Sequence, residues 1–264
     1  MPSARNALQN ILSRAPLHRH WWINDPDCLL VRPDTELTIP EVQTLATAIS
    51  LTGGSLLISD DIPGLPEERL QIARVLLPVI DQRAQVLDLF ENHTPALLRL
   101  DLENETGHWH LLAIFNWEDT SKSMAFSPQK FHLSEDKVYW CREFWQGQIG
   151  QMSPDSPFIL HDVPPHGVLV IAARPYSADN PTYLGGDLHL SQGSEISEWV
   201  VESEKISMQF ELGRQSSGKL YFYLPWHPIG FWHNDQSRKM HDEGQGIYSI
   251  EVEDINGKVF EIRW

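Results

Sequence analysis

Apolar residues recur along the first eighty positions at two different periods. In SARNALQNILSR, residues 3–14, Ala7, Leu8, Ile11 and Leu12 fall at helical spacing, and HRHWWI follows as a short strand. In LTIPEVQTLATAISLTGG, Thr38 stands three residues before Glu41, a capping-box pair, with Pro40 in the first turn. Val42, Leu45, Ala46 and Ile49 then share one helical face, and Gly53-Gly54 supplies the left-handed stop. SLLIS, residues 55–59, reads as an apolar strand closed by Asp60-Asp61. A third helix opens at Pro66-Glu67-Glu68, with carboxylates where the helix dipole favours them. Leu70, Ala73, Leu76 and Leu77 carry it to about Asp81. This α-β-α-β-α order is the grammar of a parallel sheet. Both strands are apolar on both faces, as covered parallel strands are, and both end in acidic residues at the carboxyl end, where α/β sheets bind ligands. Two strands cannot close a barrel, so this part reads as a piece of something larger.

After about residue 83 the pattern changes to short strands separated by Pro, Gly, Asn and Ser. PALLRLDLE, HWHLLAIFNW, KVYWCREFW, GVLVIAAR, DLHLSQG, ISMQFELG, KLYFYL and YSIEVEDINGKVFEIRW are the candidates. Asn256-Gly257 is a type I′ hairpin signal between alternating Ile250, Val252 and Val259, Phe260, Ile262. Many short strands without helices between them predict an antiparallel sandwich. SADNPTYLGG, near residue 180, interrupts the run. The organisation expected is therefore 1–82 α/β, 83–180 antiparallel β-sandwich, and 181–264 a further β-rich region continuous with it or separate.

Composition narrows the partners more than the fold. The formal net charge is −16, which argues against nucleic acid and anionic membrane surfaces. Cys28 and Cys141 lie far apart and form neither a disulfide framework nor a zinc pattern. No signal-peptide core or membrane span is visible, so a soluble cytoplasmic protein is expected, with no cofactor. Ten tryptophans are unusual at this length. They fit core packing first, and carbohydrate stacking on indole faces second.

The stretch WWINDPDCLLVR, followed by LTIPEVQTLATAISLTGGSLLISDDIPGL, resembles the melibiase-like clan of retaining α-galactosidases, nearest the bacterial and plant branch that includes raffinose-type transferases. In that clan an N-D-P-D element closes the seventh barrel strand, and a helix ending in Gly-Gly leads to an eighth strand with a Ser-Asp-Asp-like end. An antiparallel domain follows, which Phe115–Trp117 and Glu143–Trp145 suit. The likeness covers roughly residues 1–190. It implies that residues 1–82 are the last two βα units of a (β/α)8 barrel acting on terminal α-galactosides. It also implies that Trp22, Asn24, Asp25, Asp27, Cys28, Asp60 and Asp61 line or brace the sugar pocket.

Retaining hydrolysis needs two carboxyl groups about 5–5.5 Å apart. In the clan they come from a Lys-x-Asp at the end of the fourth strand and an Asp of the sixth. No Lys precedes residue 122, so that motif has no counterpart in the barrel part. The expectation is a carboxyl-side portion of such an enzyme, without catalytic residues of its own. It would depend on an upstream catalytic fragment, or associate with itself through open sheet edges. The alternative is a non-catalytic carbohydrate-binding or assembly module.

Several residues stay open on sequence alone. A bare D-P-D is also an ordinary turn element, and Asp60-Asp61 could cap the next turn. Spacing does not exclude Asp25 and Asp61 as a catalytic pair, though two strands would hardly hold them to the required tolerance. His108 and His110 alternate on one strand and face the same side, so two metal ligands are geometrically available, but no third is evident. No metal is therefore expected. In LPWHPIGFWHN, Trp226, His227, Trp232 and His233 form either a packed loop or a sugar-stacking platform.

Overall fold

The computed structural model describes residues 4–264. Its first part consists of α1 (Ala4–Arg14), β1 (Cys28–Leu29), α2 (Ile39–Leu51), β2 (Leu57–Ile58) and α3 (Glu67–Arg74). Ser3, the first residue of the expected helix, lies outside the described residues. β1 and β2 pair in parallel, Cys28 opposite Leu57 and Leu29 opposite Ile58. Helix α2 begins as its sequence dictates: Glu41 Oε2 accepts the Thr38 amide and hydroxyl, both at 2.8 Å. It is followed by Gly53 and Gly54 at φ +70° and +95°.

Helix α3 stops at Arg74, well short of Asp81. Pro78 has no amide to donate and disfavours helix at Leu77. The chain tightens instead: the Leu76 and Leu77 amides reach back only three residues, to Ala73 and Arg74. The Val75 carbonyl, freed from the helix, accepts the amide of Leu190 at 2.8 Å.

The middle part holds β3 (Gln85–Val86), β4 (Leu97–Asn104), β5 (Gly107–Phe115), β6 (Lys122–Phe126), β7 (Tyr139–Glu143), β8 (Ile149–Met152), β9 (Phe158–Val163) and β10 (Val168–Pro175). Six of these form an antiparallel sheet in the order β3-β4-β5-β10-β7-β8, and β6 pairs with β9 as a separate ribbon. Leu100, Leu111 and Val170 join the core of α2 and α3, while Leu112, Leu169 and Ile171 join Phe126 and Phe131. Cover on both faces explains why β5 and β10 read as nearly unbroken apolar runs.

The last part comprises β11 (Thr182–Gly186), β12 (Ile196–Val201), β13 (Lys205–Phe210), β14 (Gly218–Tyr223), β15 (Gly230–His233), β16 (Gln236–Arg238), β17 (His241–Gly244), β18 (Ile247–Val252) and β19 (Val259–Arg263). They form two sheets, β11-β14-β18-β17 and β12-β13-β19-β15-β16, around Phe210, Phe222, Phe231 and Phe260. The architecture is thus a partial (β/α)8 barrel remnant of two βα units followed by antiparallel sandwich layers.

Two expected features are corrected. Asn256-Gly257 does not close a hairpin, because β18 and β19 belong to opposite sheets. The Asn256 side chain instead accepts the Leu212 and Gly213 amides at 2.7 and 3.0 Å, tying the crossover to β13. DLHLSQG is not a strand. Leu188 and Leu190 are buried, but His189 Nε2 meets the Pro78 carbonyl at 2.7 Å and Gln192 Oε1 accepts Arg142 at 2.8 Å. The alternation that mimics a strand is that of a loop wedged between the three parts, apolar toward the cores and polar toward buried partners. Arg174 completes the wedge, donating to the Gln192 carbonyl at 2.8 Å and lying 4.4 Å over the Trp109 ring.

Candidate functional site

The N-D-P-D corner precedes β1 instead of closing a strand. Cys28 and Leu29 are the paired residues, and HRHWWI forms a turn with one isolated bridge between His18 and Trp22. The corner therefore lies at the amino end of β1, against the expectation. Asn24, buried, is its keystone. Its amide donates to His18 Nδ1 at 3.0 Å, its Nδ2 to the Thr52 carbonyl at 3.1 Å, and its Oδ1 accepts the Trp22 indole at 3.0 Å. Its carbonyl accepts the Ser55 amide at 3.1 Å. A Cβ on Gly54 would sit 2.1 Å from that carbonyl oxygen, so only glycine permits this approach. Burial holds the His18 imidazole below its ordinary pKa, with the nearby Arg19 and Arg83 charges acting the same way.

Asp25 and Asp27 are exposed. Asp25 Oδ1 accepts the Asp27 amide at 3.2 Å, and Asp27, at φ +68°, accepts the Cys28 amide at 2.8 Å. Trp22, at 42% exposure, and Trp21, at 78%, stand edge to face with ring centres 6.1 Å apart. Between α1 and the corner a hollow of about 130 Å³ is lined by Asn10, Ile11, Arg14, Trp22, Asp25 and Pro26, among others. Cys28 is half-buried with a free thiol.

Asp60 and Asp61 lie at the other end of the parallel pair. The Asp60 carboxylate is fully enclosed, its Oδ2 accepting the Val31 and Arg32 amides at 2.7 and 3.1 Å and its Oδ1 accepting Arg32 Nη1 at 2.8 Å. It latches the end of β1 and has no oxygen directed to solvent. Asp61 is exposed. Asp60 is level with Val31, four residues beyond Asp27, or roughly 13 Å at ~3.3 Å per residue. A retaining pair needs about 5–5.5 Å, so Asp60 cannot work with Asp27 as one, and Asp25 lies further back still. Of the seven expected residues the structure brings Trp22, Asn24, Asp25, Asp27 and Cys28 together and leaves Asp60 and Asp61 apart.

A larger cleft, which the sequence did not reveal, opens where the three parts meet. Its volume is about 380 Å³, and Phe144, Trp145, Tyr221, Gln43, Gln146 and Asp187 are among its walls. The walls are braced from behind. Trp145 donates to Thr47 Oγ1 at 3.1 Å, and Arg142 lies 4.9 Å over the Tyr221 ring while pairing with Asp187. Glu143, buried, accepts the Gln146 amide at 2.5 Å and the Val170 amide at 3.0 Å, and burial pushes its carboxyl up to about 7. The segment CREFWQG carried the only local signal, an aromatic pair beside a tight turn.

The remaining candidates resolve toward packing. One face of Trp226 stacks on Trp264 at 3.8 Å, and Arg263 covers Trp232 at 4.5 Å. His227 and His233 reach Tyr248 Oη and the Val259 carbonyl at 3.1 and 2.8 Å. Of the ten tryptophans only Trp21 and Trp22 are exposed, so packing accounts for most of the count. Beside His108 and His110 the structure places a carboxylate. Asp101, on the neighbouring strand, lies with them so that one donor atom from each falls within 4.8 Å of the others.

No protein-family model matches the chain. Its fold is similar to that of α-galactosidase I from Mortierella vinacea, at 17% identity and a TM-score of 0.50, over 65% of this chain and 44% of that one. It is likewise similar to α-galactosidase from Saccharomyces cerevisiae, solved with raffinose, at 15% identity and a TM-score of 0.51, over 66% of this chain and 52% of that one. The chain thus spans about half the length of these enzymes, and the likeness is one of fold.

Proposed function

We propose that this chain is the carboxyl-side portion of a glycoside hydrolase acting on terminal α-galactosides. In this reading the N-D-P-D corner holds the sugar, through Trp22, Asp25, Asp27 and Cys28, and does not cleave it. The cleaving carboxylates belong to further βα units, on the same polypeptide or another, that complete the barrel beside β1 and β2. Asn24 sets the geometry of that corner. The observation that carries the reading is a set of exposed apolar side chains at the parallel pair and in the segment leading to it: Leu57 on β2 is 51% exposed, and Trp21 and Ile23, ahead of β1, are 78% and 61% exposed. Barrel strands are normally covered on both faces, so Leu57, with the exposed apolar side chains ahead of β1, marks a surface that neighbouring strands, or a second copy of the chain, would bury. Among the described residues no helix is long and apolar enough to cross a membrane. With a net charge of −16 and two free thiols, a cytoplasmic setting without nucleic-acid partners belongs to the same reading.

Titration with melibiose, followed by tryptophan fluorescence, tests this. Quenching that Trp22→Phe abolishes supports it; an unchanged titration in that variant rules out the corner as the binding site. A second reading, a non-catalytic carbohydrate-binding module, is favoured by the 380 Å³ cleft, whose Trp145 and Tyr221 offer aromatic faces beside amide and carboxylate groups. It expects Trp145→Phe and Tyr221→Ala to abolish the response while Trp22→Phe leaves it intact.

A further inference from the structure

The hairpin β4–β5 presents two histidines opposite two carboxylates. Its register sets Asp101 across from His110 and Glu103 across from His108. Cross-strand partners share a face and alternate residues share a face, so all four side chains stand on the same side of the ladder. Their neighbours Leu102 and Trp109 turn the other way into the core. On their own side the apolar layer of Leu112 and Ile114 has ended, and Tyr139 is the last ring beneath them, 5.9 Å from His110.

The geometry points to a divalent transition-metal site here, with His108 and His110 as nitrogen ligands, Glu103 as a carboxylate ligand, and Asp101 positioning His110. The His108 and His110 rings are 4.6 Å apart at 78°, so their ring nitrogens can converge. Because a carboxylate only accepts, the 2.6 Å contact with Asp101 Oδ1 places a hydrogen on His110 Nδ1 and leaves the Nε2 lone pair for a cation. Carboxylate, imidazole and metal in that order form the usual outer support of a histidine ligand.

Asp101 is itself rigid. Arg99 grips both its oxygens at 2.8 and 2.9 Å and anchors on the Phe131 and His132 carbonyls at 3.1 and 2.6 Å. That grip suits Asp101 to a place behind His110: its Oδ1 already meets Arg99 Nε and His110 Nδ1, and its Oδ2 accepts Arg99 Nη2. His108 is exposed and Glu103 is long and exposed, so both can close on an ion by side-chain rotation alone. Two imidazoles and one carboxylate, with a position left for water, suit Zn²⁺ and its analogues Co²⁺ and Ni²⁺ in preference to Ca²⁺ or Mg²⁺.

The test is titration of the full chain with Zn²⁺ by calorimetry, and with Co²⁺ by its visible absorption. Because the chain has 12 histidines, the His108→Asn/His110→Asn double variant sets the non-specific background. The expected result is one site per chain that His108→Asn, an exposed substitution, weakens at least ~10-fold, as does Glu103→Gln. Asp101→Asn should weaken it ~10–100-fold, the range for an outer partner of a ligating histidine. That loss is judged against the melting temperature of the same variant in EDTA, which reports its structural role separately. Wild-type binding no tighter than that of the double variant, or Co²⁺ absorption unchanged by His108→Asn, overturns the proposal.

Discussion

Asp60 separates a structural latch from a ligand contact, and Asp60→Ala discriminates between them. The carboxylate has no exposed surface and accepts the Val31 and Arg32 amides at 2.7 and 3.1 Å. Truncation leaves two backbone donors without that partner, each worth about 1–3 kcal/mol if it stays buried. Arg32 lies toward the surface and water can reach it in part, so the expected loss is about 2–4 kcal/mol, most of it from Val31. The guanidinium contact of Arg32 adds little, because solvent screens it. At about 2–4 °C per kcal/mol for a chain of this size, the melting temperature should fall by roughly 4–16 °C. Asp60→Asn keeps an oxygen where both amides point and should recover most of the loss. Thermal and urea denaturation, read by circular dichroism, measure both variants. An Asp60→Ala protein as stable as the wild type, but deficient in sugar binding, would refute the latch.

Three further outcomes follow from the same contacts. Gly54→Ala places a Cβ 2.1 Å from the Asn24 carbonyl at φ +95°, so it should cost at least ~2–3 kcal/mol in a urea melt; a change under ~0.5 kcal/mol would mean the corner can move aside. Glu143→Gln turns an amide NH₂ toward the backbone donors at Gln146 or Val170 and should cost about 1–3 kcal/mol. Because burial raises the folded Glu143 carboxyl from 4.5 to about 7, the folded state holds its proton longer, so the wild-type advantage should shrink as pH rises from about 4.5 to about 7. His166 is held above its ordinary pKa by hydrogen bonds to Glu41 and Asp119 at 2.9 and 2.8 Å. Its contribution is therefore full below about pH 6.5 and lost as pH rises through the raised value. With its side chain 38% exposed, His166→Gln should cost under ~1 kcal/mol at pH 5.5 and nothing at pH 9; a larger loss at pH 9 would contradict the assignment.

What the sequence made legible were features whose physics is local. Thr38 and Glu41 are three residues apart and make their own capping box, and Gly53-Gly54 ends α2 whatever surrounds it. The alternation on β4 needs only the pleat. What stayed hidden depends on partners distant in the chain. DLHLSQG alternates like a strand, yet its polar residues answer Arg142 and Pro78, which no local window contains. The Asn256-Gly257 signal describes a turn and says nothing of which sheet receives the next strand. WWIN looked like a strand running into N-D-P-D, but the isolated bridge at Trp22 and the clamp on Asn24 put the pairing after the acidic residues. The site was legible as a set of residue types and less so as a place. Asp60 shares its chemistry with Asp25 and Asp27, and only the register of β1 on β2 separates them. The carboxylate that orients His110 sits nine residues before it, across the hairpin, where a search for alternating histidines does not look.

On the proposed reading the chain holds a galactoside without cleaving it. Hydrolysis of nitrophenyl α-galactoside by the purified polypeptide tests that most directly. Release of nitrophenol should be no faster than in buffer, at protein concentrations where melibiose quenches the tryptophans. Sustained turnover, lost on Asp25→Asn or Asp27→Asn, would contradict it and place the cleaving carboxylates in the corner itself.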